Sequence, residues 1–373
     1  IPIILLPVFF FQDIKYAPFL LVIFYTIYAA FGNFATPAWS SWIGDLVPRK
    51  EIGRFFGKRN SLGSISALIA MVLAGLILDF SRKSAVFKEN QTVFLGFGII
   101  FFLAMLCRFL SRHFVLRQYE PEFRFQKAHY FSFLKFVKSA PKRNFGRFAI
   151  FIALVLLATS IVAPFYAIYM LKDLGFSYFQ FMLINVFATI ATFLFMPLWG
   201  KFADEYGNVK TLKITSFMTP VACFLWPLSL FLDPPFQFYF LLLTNFFAGF
   251  AWAGFNLAAG SFVYDATTPE KRSLCVAYSS ILNGFGIVIG ASLGGFLISH
   301  LKVSFINIIM FVSLMSGIVR YIVSSLIIPK VKEVRIVEAK PTWEAVPLFS
   351  QILALPIYIQ NIFPLKTITI PRW

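Results

Sequence analysis

Ten apolar runs follow one another along the chain, most of them close to twenty residues long. They fall at roughly 1–12, 17–43, 61–80, 92–111, 148–171, 178–199, 212–232, 236–264, 274–299 and 303–328. A helix needs about 20 such residues to cross a hydrocarbon core of roughly 30 Å. In lipid, only helices and closed barrels satisfy their own backbone groups. With 59% of 373 residues hydrophobic and a mean hydropathy of +0.79, a water-soluble domain could not hide the apolar surface. The expected fold class is therefore an all-α, polytopic membrane protein. Cys107, Cys223 and Cys275 lie in or near these runs and show neither a paired framework nor a metal spacing. The 50 Phe residues fit lipid-facing and packing roles.

A second constraint is internal. At an offset of 220 residues Asp45 falls on Asp265, Leu62 on Leu282, Ile69 on Ile289, Leu73 on Leu293 and Gly75 on Gly295. Ser66, Ala70 and Ala74 fall on Gly286, Gly290 and Gly294. Register held over so many positions indicates duplication. The same offset maps the span at 212–232 onto the short run at 1–12, and the span at 236–264 onto 17–43. The spans at 148–171 and 178–199 have no counterpart. Two further helices are thus expected ahead of residue 1, giving two pseudo-symmetric bundles of six with ten helices visible. The expected division is 1–111 for the incomplete first bundle, 112–147 for a connection, 148–328 for the second bundle and 329–373 for a tail.

The formal net charge is +17, and the basic residues gather between spans. Arg49, Lys50, Arg54, Lys58 and Arg59 follow the second run; Arg112 to Arg147 includes nine basic residues; the 200–213 stretch and the tail are basic too. Lys and Arg in short loops mark the cytoplasmic side. The expectation is a multi-pass protein of the cell or inner membrane with connection and tail inside, and a lipid bilayer rather than nucleic acid as its surroundings. In 131–138, Phe131, Phe133, Leu134, Phe136 and Val137 alternate with Lys135 and Lys138. That pattern suits a helix on the membrane surface or a solvated linker.

Between the spans at 178–199 and 212–232 the chain reads GKFADEYGNVKTLK. Gly200, Asp204, Gly207 and Lys210 match the spacing Gly-x-Leu-Ala-Asp-x-x-Gly-x-x-Lys/Arg, with Phe202 in place of Leu and Val209 at a second position that is often basic. The chain thereby resembles the major facilitator superfamily over residues 1 to about 330. APFYAIYMLKDLG at 163–175 and PAWSSWIGDLVP at 37–48 carry the likeness further. Gly200 and Gly207 suit a tight turn. Asp204 is a negative charge that a helix N-terminus or an Arg can stabilise. The resemblance implies a latch on the helix starting near residue 54 of the other half, with Arg54 as the ion partner. Asp45 and Asp265 are the symmetry-related acids, whereas Arg272 falls on Ile52, which leaves Arg54 as the latch cation of the first half. The plainer alternative is a solvated turn.

The ladders Ser66–Ala70–Ala74 and Gly286–Gly290–Gly294 each put small side chains on one helix face, where backbones can approach closely. The resemblance implies that these two helices pack across the interface between halves; static packing predicts the same residues. Asn33, Asn185, Asn245, Trp252, Asn256 and Asn283 are the candidate substrate-cavity residues. Polar groups within spans usually face the bundle or a cavity, and each Asn alone is better read as an interhelical hydrogen bonder. Arg108 and Arg320 fit snorkelling toward the cytoplasmic ends, Arg320 being the deeper. No Asp or Glu lies mid-span, and no nucleotide loop, metal motif or catalytic constellation appears, so neither an enzyme nor a cofactor is expected. The reading is a secondary transporter, acting as a monomer, that moves a small-molecule substrate by alternating access, with a proton or sodium ion as possible coupling ion. The alternative is a non-transporting sensor or assembly protein of the same fold.

Overall fold

The structure is a computed structural model. It describes residues 19–20, 22–28, 31–32, 42, 46, 52–83, 89–119, 130–301 and 303–334, with the side chains of 52–61, 64, 82–83, 89–95 and 269–270 also outside the described set. Among the described residues ten α-helices have defined bounds: α1 (Ile52–Lys83), α2 (Glu89–Val115), α3 (Phe133–Ser139), α4 (Asn144–Ser160), α5 (Ala163–Ile168), α6 (Tyr178–Tyr206), α7 (Asn208–Leu225), α8 (Pro234–Ala266), α9 (Pro269–His300) and α10 (Ile308–Ile327). Among the described residues, seven stretches are long and apolar enough to cross a membrane. They are Gly96–Val115, Asn144–Asp173, Tyr178–Tyr206, Asn208–Phe231, Pro234–Ala266, Lys271–His300 and Ile308–Lys330. The expected all-helical, many-pass fold is what the chain forms. The runs at 1–12 and 17–43 lie wholly or mostly outside the described residues.

Local chemistry explains where the long helices bend. Pro164, at the start of α5, lacks an N–H, and the Asn144–Asp173 span breaks between Ser160 and Ala163. It then ends in a π turn, Tyr169–Asp173, closed by the Leu174 N–H donating to Tyr169 O. Pro220 sits inside α7, so it offers no bond to the Ser216 carbonyl four residues back. That carbonyl instead accepts from the hydroxyls of Thr219 and, from α10, Ser324, each at 3.3 Å. Side-chain hydroxyls commonly repair such gaps in membrane helices.

The second half forms one bundle. α8 lies between α6 and α7, α4 packs against both α9 and α10, and α10 also packs on α7. The closest approaches are made by glycine. A Cβ on Gly249 of α8 would overlap the Ala188 carbonyl of α6. A Cβ on Gly286, Gly290 or Gly294 would overlap the carbonyl oxygens of Ala153, Leu157 or Ile161. Here the expectation is corrected. The glycine ladder of α9 faces α4 within its own half, not the opposite half. Its counterparts Ser66 and Ala70 are exposed, and the Ser66 hydroxyl bonds back to Leu62 O. The contact between halves runs instead through α1 and α6. There a Cβ on Gly75 would press on Met182 and Phe179 at 3.1–3.2 Å. The Asp79 carboxylate also accepts from the Phe179 N–H at 3.2 Å, meeting the positive N-terminal end of α6. Ser177 and Gln180 complete that end with a reciprocal capping box.

Within the 131–138 stretch a short helix forms, and part of its apolar side is used inside the protein. Ser132 caps α3. Phe131, Phe133 and Phe136 gather around Tyr278 of α9, with ring centroids 5.4–5.6 Å apart. The aromatic side of α3 thus covers the end of the bundle itself, while Leu134, Lys135, Val137 and Lys138 stay exposed.

Candidate functional site

Two places concentrate polar chemistry. The first is the motif at the basic end of the bundle. The 200–213 stretch is expected as a loop, but α6 runs on to Tyr206 and α7 starts at Asn208, leaving Gly207 alone between them. Gly200 is therefore inside α6, where a Cβ would meet only Leu257 at 3.7 Å. It makes no turn. Gly207 makes all of it, at φ 91° and ψ 156°, a region that L side chains rarely adopt.

Of the residues that hold that turn, the sequence pattern singled out Asp265 but not Asn208, Glu333 or Asn144. Asn208 is fully buried and donates from Nδ2 to Asp265 Oδ2 at 2.7 Å. Asp265 thus ties the end of α8 to the start of α7. Glu333, beyond the last span, accepts from the Val209 N–H at 2.7 Å, so its carboxylate sits on the positive end of α7. Asn144 and Lys332 exchange two bonds of 2.8 Å, and Arg147 donates to Lys330 O at 3.1 Å. The segment after α10 is thereby stitched across the starts of α4 and α7. Lys210 lies 4.7 Å over the Tyr206 ring. Arg272 lies 4.7 Å over the Tyr264 ring and donates to the carbonyls of Tyr264 and Thr267 at the end of α8. Asp45 and the side chain of Arg54 lie outside the described residues. Asn208→Ala should cost about 1–3 kcal/mol, the scale for removing one partner of a buried polar pair. A thermal midpoint in detergent equal to wild type would show that the Asn208–Asp265 bond holds nothing. Glu333 is one of three acids in the tail, with Glu338 and Glu344, and no sequence pattern sets it apart.

The second place is a cavity of about 350 Å³ inside the second bundle. It is bounded by Thr159 at the end of α4, Tyr166 of α5, Thr189 and Thr192 of α6, Trp226 just past α7, Asn245 and Trp252 of α8, and Arg320 of α10. Thr189 also touches Met71 Sδ of α1 at 3.9 Å, so the cavity borders the first half. The wall is ordered by its own bonds. Tyr166 stacks on Trp226 at 4.0 Å between centroids. Its hydroxyl pairs with Ser313 at 2.6 Å, and Ser313 donates on to Cys223 O. Thr159, Thr189 and Thr192 donate to carbonyls one turn back in their own helices. Their hydroxyl hydrogens are thus committed and their lone pairs face outward as acceptors.

Of the expected cavity residues, Asn245 and Trp252 line it. Asn185 does not; its amide donates to Phe181 O in its own helix at 2.8 Å. Asn256 is exposed and outside the lining, and Asn283, on α9, is outside it too with a buried Oδ1 that has no partner. Asn245 also bonds within its helix, to Leu241 O, so neither Asn185 nor Asn245 bridges helices as expected. Asn33 lies outside the described residues. Arg320 departs furthest from expectation. It does not snorkel: only 4% of it is exposed, and it lines the cavity near the middle of its span, roughly 18 Å from Ile308 at about 1.5 Å per residue. A further hollow of about 450 Å³, lined by Lys135, Arg143 and Lys271 among others, opens at the basic end rather than between the spans.

The family model described as Major Facilitator Superfamily matches residues 2–153 and 148–368, nearly the whole chain. The chain belongs to this superfamily. Two curated relatives share part of its length. The vacuolar membrane amino acid uptake transporter fnx2 of Schizosaccharomyces pombe is 31% identical over 147 residues, which is 39% of this chain and 23% of that protein. Vacuolar basic amino acid transporter 1 of Saccharomyces cerevisiae is 30% identical over 101 residues, 27% of this chain and 17% of that protein. The match thus spans under a quarter of either relative's length.

Proposed function

We propose that the chain is part of a transporter that carries amino acids across a membrane by alternating access. The observation that carries this is the cavity. It lies between spans, borders the other half, and mixes hydroxyls, an amide and stacked aromatics, in the size range of roughly 300–1,000 Å³ usual for small-molecule sites. Secondary transporters place their substrate near the midplane at the interface of repeats. The amino-acid class comes from the names of the two relatives. The basic end faces the cytoplasm, by the distribution of Lys and Arg. A proton or sodium gradient drives the cycle, and one copy suffices.

In this cycle the 200–210 motif latches one closed state, with Asp204 as its charge. Purified full-length protein in liposomes should take up one or more labelled amino acids from a panel spanning basic, neutral and acidic side chains, faster with an imposed proton or sodium gradient. Absence of flux for the whole panel would refute the transport reading. Asp204→Asn should cut the rate about tenfold while leaving membrane insertion intact, since it removes one charged contact worth about 1.4 kcal/mol. Wild-type uptake by that variant would refute the latch.

A further inference from the structure

Arg320 is a cation in the wrong place for a structural residue. It is 96% removed from solvent, near the middle of an apolar span, and bounds the cavity. Its guanidinium makes one long bond, Nη1 to Thr219 O at 3.5 Å, and Nε has no partner. A guanidinium has five donors and stays charged at any ordinary pH. Burying such a charge is expensive unless it is paired, and intramembrane charges are retained where they serve a pathway or ligand. None of the cavity-lining residues carries a carboxylate. Among the described residues every Asp and Glu sits at or beyond a helix end, Asp79 of α1 being about a turn in. The cavity therefore presents a net positive charge, with acceptor lone pairs from Thr159, Thr189 and Thr192 around it.

We infer that Arg320 is the anchor for a carboxylate of the transported molecule, holding it against α10 through charge-assisted hydrogen bonds. This rests on the transport reading and deepens it: the α-carboxylate of an amino acid completes the ion pair. The threonine lone pairs then accept from the ammonium group, and the Tyr166–Trp226 stack bounds the side chain. A second consequence separates this cavity from one built for cations. A basic side chain finds no counter-charge on this wall, so a preference for basic amino acids must come from elsewhere in the protein.

The test uses the full chain and two pairs of probes, L-leucine with leucinamide and L-lysine with lysinamide, read by thermal stabilisation in detergent and by competition against uptake in liposomes. At least one amino acid should stabilise the wild type, and its amide should need tenfold or more higher concentration to match it. Arg320→Met should abolish that discrimination and raise the concentration for half-effect tenfold or more. The ligand-free midpoint of Arg320→Met should not fall, because it removes an uncompensated charge; a residue with a merely structural role would lower it. Arg320→Lys keeps the charge without the planar fork and should fall between. Equal response of the wild type to acid and amide, no response to either acid, or an unchanged carboxylate preference in Arg320→Met would each overturn the inference. Carboxylate-dependent stabilisation without flux would refute the transport reading and leave the anchor standing.

Discussion

Gly290→Leu should leave little folded protein in the membrane. Gly286, Gly290 and Gly294 recur every fourth residue on α9, and Ala153, Leu157 and Ile161 recur every fourth residue along the α4 line. A Cβ at any of the three glycines would overlap a carbonyl oxygen of that line. Those oxygens belong to backbone, so they cannot swing aside as a side chain would. Overpacking a core that can adjust costs about 1–3 kcal/mol, and occasionally more; here the obstacle is rigid and the cost lies at or beyond the upper end. Lipid supplies no hydrophobic force to pull the helices back together, since association rests on close packing and hydrogen bonds. Gly284→Leu is the control, because nothing lies within 4 Å of a Cβ at that site. Size-exclusion of tagged variants should show a monodisperse peak for Gly284→Leu and a lost or aggregated one for Gly290→Leu, with Gly290→Ala between. A wild-type peak for Gly290→Leu would mean that α9 and α4 are not held where the structure puts them.

The second large effect is expected at Gly207. An alanine there meets two obstacles. Its φ of 91° with ψ 156° is strained for any residue with a Cβ, worth roughly 1–3 kcal/mol. The same Cβ would also fall 2.5 Å from Glu333 Oε2, displacing the carboxylate from the Val209 N–H. Gly207→Ala should therefore lower the thermal midpoint clearly, and Glu333→Ala should lower it less. The double variant should fall short of the sum, because the carboxylate that the alanine displaces is already gone. Strict additivity would mean that Glu333 and Gly207 act independently, against the contact seen.

The stitching of the tail has a consequence for how the motif works. Glu333, Lys332 and Lys330 attach the end of the chain to the starts of α7 and α4. Asn208 attaches the start of α7 to Asp265 at the end of α8. The motif turn is thus braced from two sides within its own half. Among the described residues the halves meet chiefly where α1 packs on α6, with Asp79 on the N-terminus of α6, and Phe97 of α2 also touches Tyr178 at the start of α6.

The sequence by itself determined the class of fold. Runs near twenty residues fix helix length, because a bilayer leaves the backbone no other partner than itself. The spacing of Gly200, Asp204, Gly207 and Lys210 was enough to suggest the family, since a local motif keeps its residues in register within a few turns. Small residues at every fourth position announced a close helix contact, because helical periodicity alone puts them on one face. The tertiary structure decided which neighbour that face meets. Periodicity carries no information about the partner, and α4 rather than the opposite half fills the space. It also decided that Gly207 bears the turn while Gly200 is an ordinary helical position. It brought Glu333 to residue Val209 over 124 residues of chain. And it turned Arg320 inward: a span of the same composition could have let it reach either the surface or the interior, and only the packing of α10 against α4 and α7 closes the first route.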